Sequence, residues 1–205
     1  MDVSVWLALI VLFFSGGLTP GPAVMLVVSS SLKYGVKPAM LPALGVSTAN
    51  LIWISLAAGG AASLAAAFPT ALMALKIAGV CFILWLAVQL VRSGTRDLRG
   101  ADTEPPGRAR LFASGVGLQL ANPNALVFFG LILPSYINAE QAVLPQALII
   151  MATVTVTEMF GLTVYAVLAD AMARRFKDPG FAQRFNFGAA TLMVASALYA
   201  VWSTT

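Results

Sequence analysis

The sequence predicts an all-α membrane protein with six transmembrane helices, arranged as a 3+3 inverted repeat in which helices one and four are broken. Hydrophobic residues make up 60% of the 205-residue chain and charged residues only 10%, against about 45–50% and about 25% in soluble domains. The apolar residues form long runs, and the basic residues fall in every second loop between them. Prolines interrupt two of these runs where an unbroken helix would be expected.

Six apolar segments are candidates for spanning helices, because a span needs about 20 apolar residues. The first is longer than one straight span, and a break at Gly16–Pro22 accounts for its length. The only charged residue before this first segment is Asp2, whereas a signal peptide begins with a basic region. We therefore expect the first segment to be retained as a membrane span. The six segments are Val3–Leu32, Met40–Ala67, Thr70–Val91, Leu111–Leu133, Leu144–Ala169 and Phe187–Trp202.

The basic residues predict how the chain is oriented. Eleven of the twelve lie after the first, third and fifth segments, and the exception is Lys76, near the start of the third. The positive-inside rule then places the loops Lys33–Pro38, Arg92–Arg110 and Asp170–Arg184 in the cytoplasm. Both termini are predicted outside, in a protein of the cell inner (plasma) membrane.

The chain is predicted to be a single transporter domain, 1–205, built from two halves. Residues 1–92 form the first half, 93–110 a cytoplasmic linker whose arginines can contact anionic lipids, and 111–205 the second half. Aligning Ala23 with Ala125 places "LTPGPAVML" over "LANPNALVF". Because each half has three helices, the two halves must have opposite orientations in the membrane.

The two breaks predict a binding site. Proline ends or kinks a helix, and the second half-helix then begins with backbone N–H groups and a positive dipole end. The two half-helix N-termini would face each other near the middle of the membrane and favour an anionic group such as a carboxylate. The alternative is a pair of kinks that only shape the bundle. The residues at the breaks are Thr19, Pro20, Gly21 and Pro22 in the first and Asn122, Pro123 and Asn124 in the second.

Three stretches together resemble the lysine exporter (LysE/RhtB) family of amino-acid exporters. They are "LTPGPAVMLVVSSSLKYGVKPAMLPALGVSTANLIW", "LKIAGVCFILWLAVQLVRSG" and "GVGLQLANPNALVFFGLILP". The resemblance implies export of amino acids or close derivatives, driven by the proton gradient, with the residues of both breaks matching the family signatures. Many relatives carry an acidic residue where this chain has Asn50, which favours neutral over dibasic amino acids as substrates.

Glu158 is the acidic residue placed deepest in an apolar segment. A carboxylate there is costly and marks function by default, which points to proton coupling. Thr155, Gly161 and Tyr165 share its helical stripe, which we expect to face the interior. Two structural roles remain open: an ion pair with Lys76, or a protonated carboxyl bonded to another helix.

Asn50, Gln89 and Gln119 are further amides within apolar segments. Each could contact substrate, and each could instead tie helices together. Gln119 is the best placed, one turn before Pro123. The small residues from Ala57 to Ala67 predict a surface for close helix packing.

Other classes of protein find little support. The chain has no histidine and one cysteine, Cys81, so we expect no enzyme, no metal site and no cofactor. The dispersed basic residues argue against nucleic acid as a partner. The alternative to a secondary transporter is a passive channel or pore for small solutes, which would not need Glu158. The expected partners are a small amino-acid substrate and membrane lipids, with a homodimer possible.

Overall fold

The computed structural model describes residues 1–18, 21–60, isolated positions between 77 and 91, and residues 105–138, 140–175 and 179–202. These residues are helical apart from short turns, and no strand occurs among them. Thr19, Pro20, Lys76, Gln89 and most of the predicted third span lie outside the described residues. The helices are α1 Val3–Leu18, α2 Pro22–Tyr34, α3 Val36–Ala58, α4 Arg108–Leu120, α5 Pro123–Val127, a π turn Phe128–Ile132, a 3-10 turn Leu133–Tyr136, α6 Val143–Arg175 and α7 Pro179–Trp202.

Two of the described helices are long and apolar enough to cross a membrane. They are α3, with 23 residues, and the apolar part of α6, Val143–Ala173. At a rise of about 1.5 Å per residue, α3 is about 35 Å long, which exceeds the bilayer core of about 30 Å. A third span is formed if α4 and the segment Asn124–Tyr136 count as one bent helix, whose two parts meet at 56°. The full set of six spans stays a prediction.

Both predicted breaks are present. α1 ends at Leu18 and α2 begins at Pro22, which occupies the first helical turn, where its missing N–H removes no hydrogen bond. At the second break α4 ends at Leu120 and α5 begins at Pro123, with Asn122 as its N-cap. The apolar segments one and four are therefore each built from two helical pieces.

Two of the predicted loops are shorter than expected. The loop Lys33–Pro38 is reduced to Gly35, whose φ of 86° lets α3 follow α2 directly. The loop Asp170–Arg184 is mostly helical, because α6 continues to Arg175 and α7 begins at Pro179. Hydropathy shows where a helix leaves the hydrocarbon core of the membrane. The helix itself can continue beyond that point, because charged residues such as lysine and arginine are good helix formers.

The first broken segment runs parallel to α6. Near the start of α1 the Trp6 indole N–H donates to Thr153 Oγ1 over 3.0 Å. About two turns further along both helices, the rings of Phe14 and Phe160 stack with centroids 6.2 Å apart. Parallel packing of segments one and five is what alternating spans would produce.

Helix α3 runs antiparallel to α6. Met40, near its start, meets Thr163, with 3.9 Å between the methionine sulfur and the hydroxyl oxygen. Asn50 meets Glu158, one and a half turns earlier in α6. Segments two and five therefore have opposite directions, again as alternation requires.

Helices α3 and α4 run parallel and touch along their backbones. A Cβ added to Gly45 would contact Phe112 O and lie 2.8 Å from Val116 N. A Cβ added to Gly115 would contact Pro42 O and lie 2.9 Å from Pro42 Cα. Small residues that let two backbones approach hold membrane helices together, so these glycines set the distance between α3 and α4.

The basic residues gather at one end of this bundle. That end holds the last turn of α2, the first turns of α3 and α4 and the last turns of α6. At the other end the Met1 ammonium donates to Gln141 Oε1 over 3.2 Å. The described basic residues at the first end are Lys33, Lys37, Arg108, Arg110, Arg174 and Arg175.

Candidate functional site

A cavity of about 390 Å³ lies between the two broken segments, α3 and α6. One side of it is polar and the other side is aromatic and aliphatic. The polar side contains half of the ten predicted site residues, together with Thr157. The predicted residues there are Asn50, Gln119, Asn122, Asn124 and Glu158.

Four of these side chains form one continuous chain of hydrogen bonds. Asn50 Nδ2 donates to Glu158 Oε2 over 2.6 Å, and Gln119 Nε2 donates to Asn50 Oδ1 over 2.7 Å. Asn122 Nδ2 donates to Gln119 Oε1 over 3.2 Å, and the backbone N–H of Asn124 donates to Asn122 Oδ1 over 3.0 Å. The chain joins the N-terminus of α5 to the carboxyl group of Glu158.

All four hydrogen bonds point in the same direction. Each amide accepts on its oxygen from the α5 side and donates through its nitrogen toward Glu158. Chains of hydrogen bonds polarise one another in a medium of low dielectric. The dipoles therefore add, and their positive ends face the carboxylate.

Local sequence explains why the amides stand where they do. Asn122 is the N-cap of α5, and Pro123 follows at the first helical position. Gln119 lies one turn before, and its backbone oxygen accepts the indole N–H of Trp53 over 3.3 Å. The three amides of this chain, Asn50, Gln119 and Asn122, are buried. Each is held by a partner on another turn or another helix, as buried polar groups require.

Glu158 lies at the boundary between two apolar clusters. Along α6, Val154 belongs to one cluster and Leu162 to the other. Along α3, Asn50 separates Val46 from Trp53 in the same way. The helical stripe of α6 that was predicted to face the interior does so at two positions. Glu158 lines the cavity, and Tyr165 packs against the cluster that contains Leu162.

The opposite side of the cavity is aromatic. The ring of Phe13, near the end of α1, lies 5.1 Å from that of Phe128 and 6.2 Å from that of Phe129, between centroids. Phe128 and Phe129 are themselves 5.3 Å apart and nearly perpendicular. These three rings hold the two broken segments together beside the amides. Sequence reasoning missed them, although Phe128 and Phe129 directly follow the second break.

The structure does not bring every predicted site residue into the cavity. Gly21 and Pro22 are described but are not among its lining residues, and Pro22 is buried at the start of α2. Asp170, predicted in a cytoplasmic loop, is buried within α6. Thr157 lines the cavity and was not predicted, and its hydroxyl donates to its own helix, to Thr153 O.

Broken helices that enclose a cavity lined by amides and, among the described residues, by one carboxyl group are typical of membrane transporters. Residues 14–204 match the family described as LysE type translocator. The chain belongs to this family. Its expected resemblance to the lysine exporters is confirmed.

Two named relatives are similar over nearly their whole length. A homoserine/homoserine lactone efflux protein of Salmonella typhimurium is 30% identical over 196 residues, which cover 94% of this chain and 95% of the relative. A cysteine/O-acetylserine efflux protein of Escherichia coli O1:K1 is 27% identical over 181 residues, covering 88% and 89%. An uncharacterized membrane protein of Vibrio cholerae is 25% identical over 186 residues, covering 91% of each. No solved structure matches the chain with significance.

Proposed function

We propose that this protein exports amino acids or close derivatives from the cytoplasm as a secondary transporter coupled to protons. The observation that carries the proposal is the cavity itself. It places three buried amides and Glu158 in one connected hydrogen-bonded chain between the two broken segments. Intramembrane polar groups of this kind mark substrate and proton pathways.

The names of the relatives support small substrates with uncharged side chains. The two named relatives export homoserine, homoserine lactone, cysteine or O-acetylserine. The cavity of about 390 Å³ has room for molecules of this size. Asn50 provides no second negative charge beside Glu158, so a dibasic amino acid would leave one cation unpaired.

The carboxylate or carbonyl group of the substrate belongs at the α5 end of the cavity. Asn122 and Asn124 stand there at a helix N-terminus, where amide donors and the helix dipole favour negative charge. The matching role of Thr19, Pro20, Gly21 and Pro22 at the start of α2 stays a prediction, as does that of Pro123. The α2 N-terminus has no side-chain cap among the described residues.

Glu158 is the proposed proton-coupling residue. A carboxyl group surrounded by apolar helices can exchange a proton with each side of the membrane in turn. The basic end of the bundle is the proposed cytoplasmic end, with both termini outside, in the inner (plasma) membrane. A homodimer stays a prediction, which light scattering of the purified protein would test.

The experiment is transport into inverted vesicles or oriented proteoliposomes that carry a proton gradient, acidic inside. Labelled L-homoserine should accumulate against its own gradient, and a protonophore should abolish the accumulation. Proteoliposomes without the protein are the control. Equilibration without accumulation, unaffected by the protonophore, would instead identify the passive channel.

A further inference from the structure

The carboxyl group of Glu158 offers one oxygen to the cavity. Its Oε2 accepts the Asn50 amide, and within the described part of the chain no hydrogen bond reaches its Oε1. The neighbouring hydroxyl of Thr157 is committed to backbone oxygens of its own helix, Thr153 O and Val154 O. A ligand in the cavity therefore meets a carboxyl group that is held in place on one side and available on the other.

The described residues that line the cavity bring no cation to balance this carboxylate. Among the described residues that line it, from α1, α3, α4, α5 and α6, Glu158 is the sole titratable group. The amides orient their dipoles toward it but bring no net charge. A carboxylate in low dielectric is costly unless it is paired. Within the described residues, the carboxylate is therefore balanced by a proton or by a cation that enters the cavity, such as that of a ligand.

We infer that the group by which this site recognises its substrate is the ammonium group, which binds Glu158 in place of a proton. This inference rests on the proposed function and names the chemistry that the cavity selects. When the ammonium binds, the proton of Glu158 leaves to the water on the open side, so the carboxyl group is neutralised in each state, by the proton in one and by the ammonium in the other. Substrate and proton then exclude each other, which is the condition for antiport.

The ammonium, and not the carboxylate, is the indispensable part of the substrate. No full positive charge stands at the α5 end among the described residues, so nothing there requires a substrate carboxylate rather than a carbonyl oxygen. Amino-acid esters and lactones should therefore bind as amino acids do. Molecules of the same shape without the amino group should not.

The test compares two ligands that differ in the ammonium alone, L-homoserine lactone and γ-butyrolactone. Thermal unfolding of the purified full-length protein in detergent is followed as each ligand is titrated. The variants are Glu158→Gln, Glu158→Asp and, as a matched control, Glu140→Gln, which makes the same chemical change in an exposed loop. A parallel titration with sodium chloride against choline chloride tests an inorganic cation.

Homoserine lactone should raise the unfolding temperature of the wild-type protein and of Glu140→Gln, and γ-butyrolactone should raise neither. In Glu158→Gln the affinity should fall by about tenfold or more, because the ligand cation loses its partner. Glu158→Asp, with a shorter carboxylate, should bind with intermediate affinity. The comparison of the two ligands in wild-type protein stands even where a variant fails to fold.

Equal stabilisation by the two ligands, stabilisation by neither, stabilisation by sodium alone, or unchanged affinity in Glu158→Gln would each overturn the inference. Transport is measured separately by exchange of labelled L-homoserine in proteoliposomes. Binding that depends on the ammonium without any exchange would overturn the exporter and leave the recognition intact. Exchange of labelled L-homoserine together with binding that does not depend on the ammonium group would overturn the recognition inference and leave the exporter intact.

Discussion

Asn50 joins the two polar ends of the cavity. It accepts from Gln119 and donates to Glu158, and it is buried on α3 between two apolar clusters. An amide can do both at once, because it carries a donor and an acceptor on the same planar group. An ionised carboxylate at this position could accept from Gln119 but would face Glu158 with a second negative charge.

The substitution Asn50→Asp should therefore change which substrates are exported. A second carboxylate beside Glu158 balances a second cation, so lysine should be exchanged at least about tenfold faster than by the wild-type protein, at the expense of homoserine. Counterflow of labelled lysine and homoserine in proteoliposomes measures the ratio. Asn138→Asp, in an exposed loop, is the control, and an unchanged ratio in Asn50→Asp would argue against charge selection at this site.

At the scale of the elements, the second helix break places polar groups in the cavity. Without the break after Leu120 the chain could not place Asn122 as the cap of α5 while Gln119 remains in α4. The π turn Phe128–Ile132 and the following 3-10 turn continue this irregular segment to Tyr136. Non-helical backbone at membrane depth is tolerated where it lines a cavity or is buried in protein.

Straightening either broken segment should abolish export. Replacing Pro20 and Pro22 together by alanine, or Asn122 and Pro123 together, allows one continuous helix to form and moves the polar groups away from each other. We expect transport to fall to background while the protein still reaches the membrane, as measured by vesicle export and immunoblotting.

Pro145→Ala is the control for the broken segments. This proline lies exposed in the first turn of α6 and interrupts nothing, so export should persist. Normal export by both double variants would mean that the two breaks only shape the helix bundle and are not needed for transport.

The contact between α3 and α4 should be intolerant of any side chain. Gly115→Ala places a methyl group against the backbone of Pro42, and Gly45→Ala places one against Phe112. Backbone atoms cannot move aside as flexible side chains do, so each variant should be less stable by about 1–3 kcal/mol.

Thermal unfolding in detergent measures this loss. Gly188→Ala is the matched control, since a Cβ there meets nothing within 4 Å and α7 should form at least as well. Equal stability of Gly115→Ala and Gly188→Ala would mean that the two helices can separate without cost.

At the scale of the whole molecule, the directions of the described helices fit alternating spans. The first broken segment is parallel to α6, and α3 is antiparallel to it. The Met1 ammonium and Gln141 lie at one end, opposite to the basic residues. Because the helix directions are fixed relative to one another, the bundle has two possible orientations in the membrane, with the basic end either in the cytoplasm or outside.

Labelling of single cysteines from outside the cell tests which of these two orientations the protein adopts. In a Cys81→Ser background, an impermeant maleimide should label a cysteine at Asn138 and spare cysteines at Ser93 and Lys177 until the membrane is permeabilised. The positive-inside rule requires this result, because the basic loops stay in the cytoplasm. Labelling at Ser93 and Lys177 but not at Asn138 would show that the protein has the opposite orientation in the membrane, and the proposed direction of transport would then be reversed as well.

Composition and proline placement in the sequence determined the helical membrane character, the two breaks and the candidate polar residues. These features are local: an apolar run, a missing N–H and a capping asparagine act on the nearest turns of the chain. The family resemblance was equally local, because its motifs surround the breaks. The ends of the helices were not determined, since hydropathy at Lys33–Pro38 and Asp170–Arg184 marks polarity rather than hydrogen bonding.

Only the tertiary structure decided which of these residues meet. Asn50 and Glu158 are 108 positions apart, and their 2.6 Å contact depends on the antiparallel packing of α3 on α6. The same packing excluded Gly21 and Pro22 from the cavity lining and brought Phe13 to the second break. Most of the stretch Ala57–Ala67, where close helix packing is predicted, lies outside the described residues. Among those described, Gly45 and Gly115 form a tight contact, because a glycine becomes a contact point only when another backbone lies opposite it.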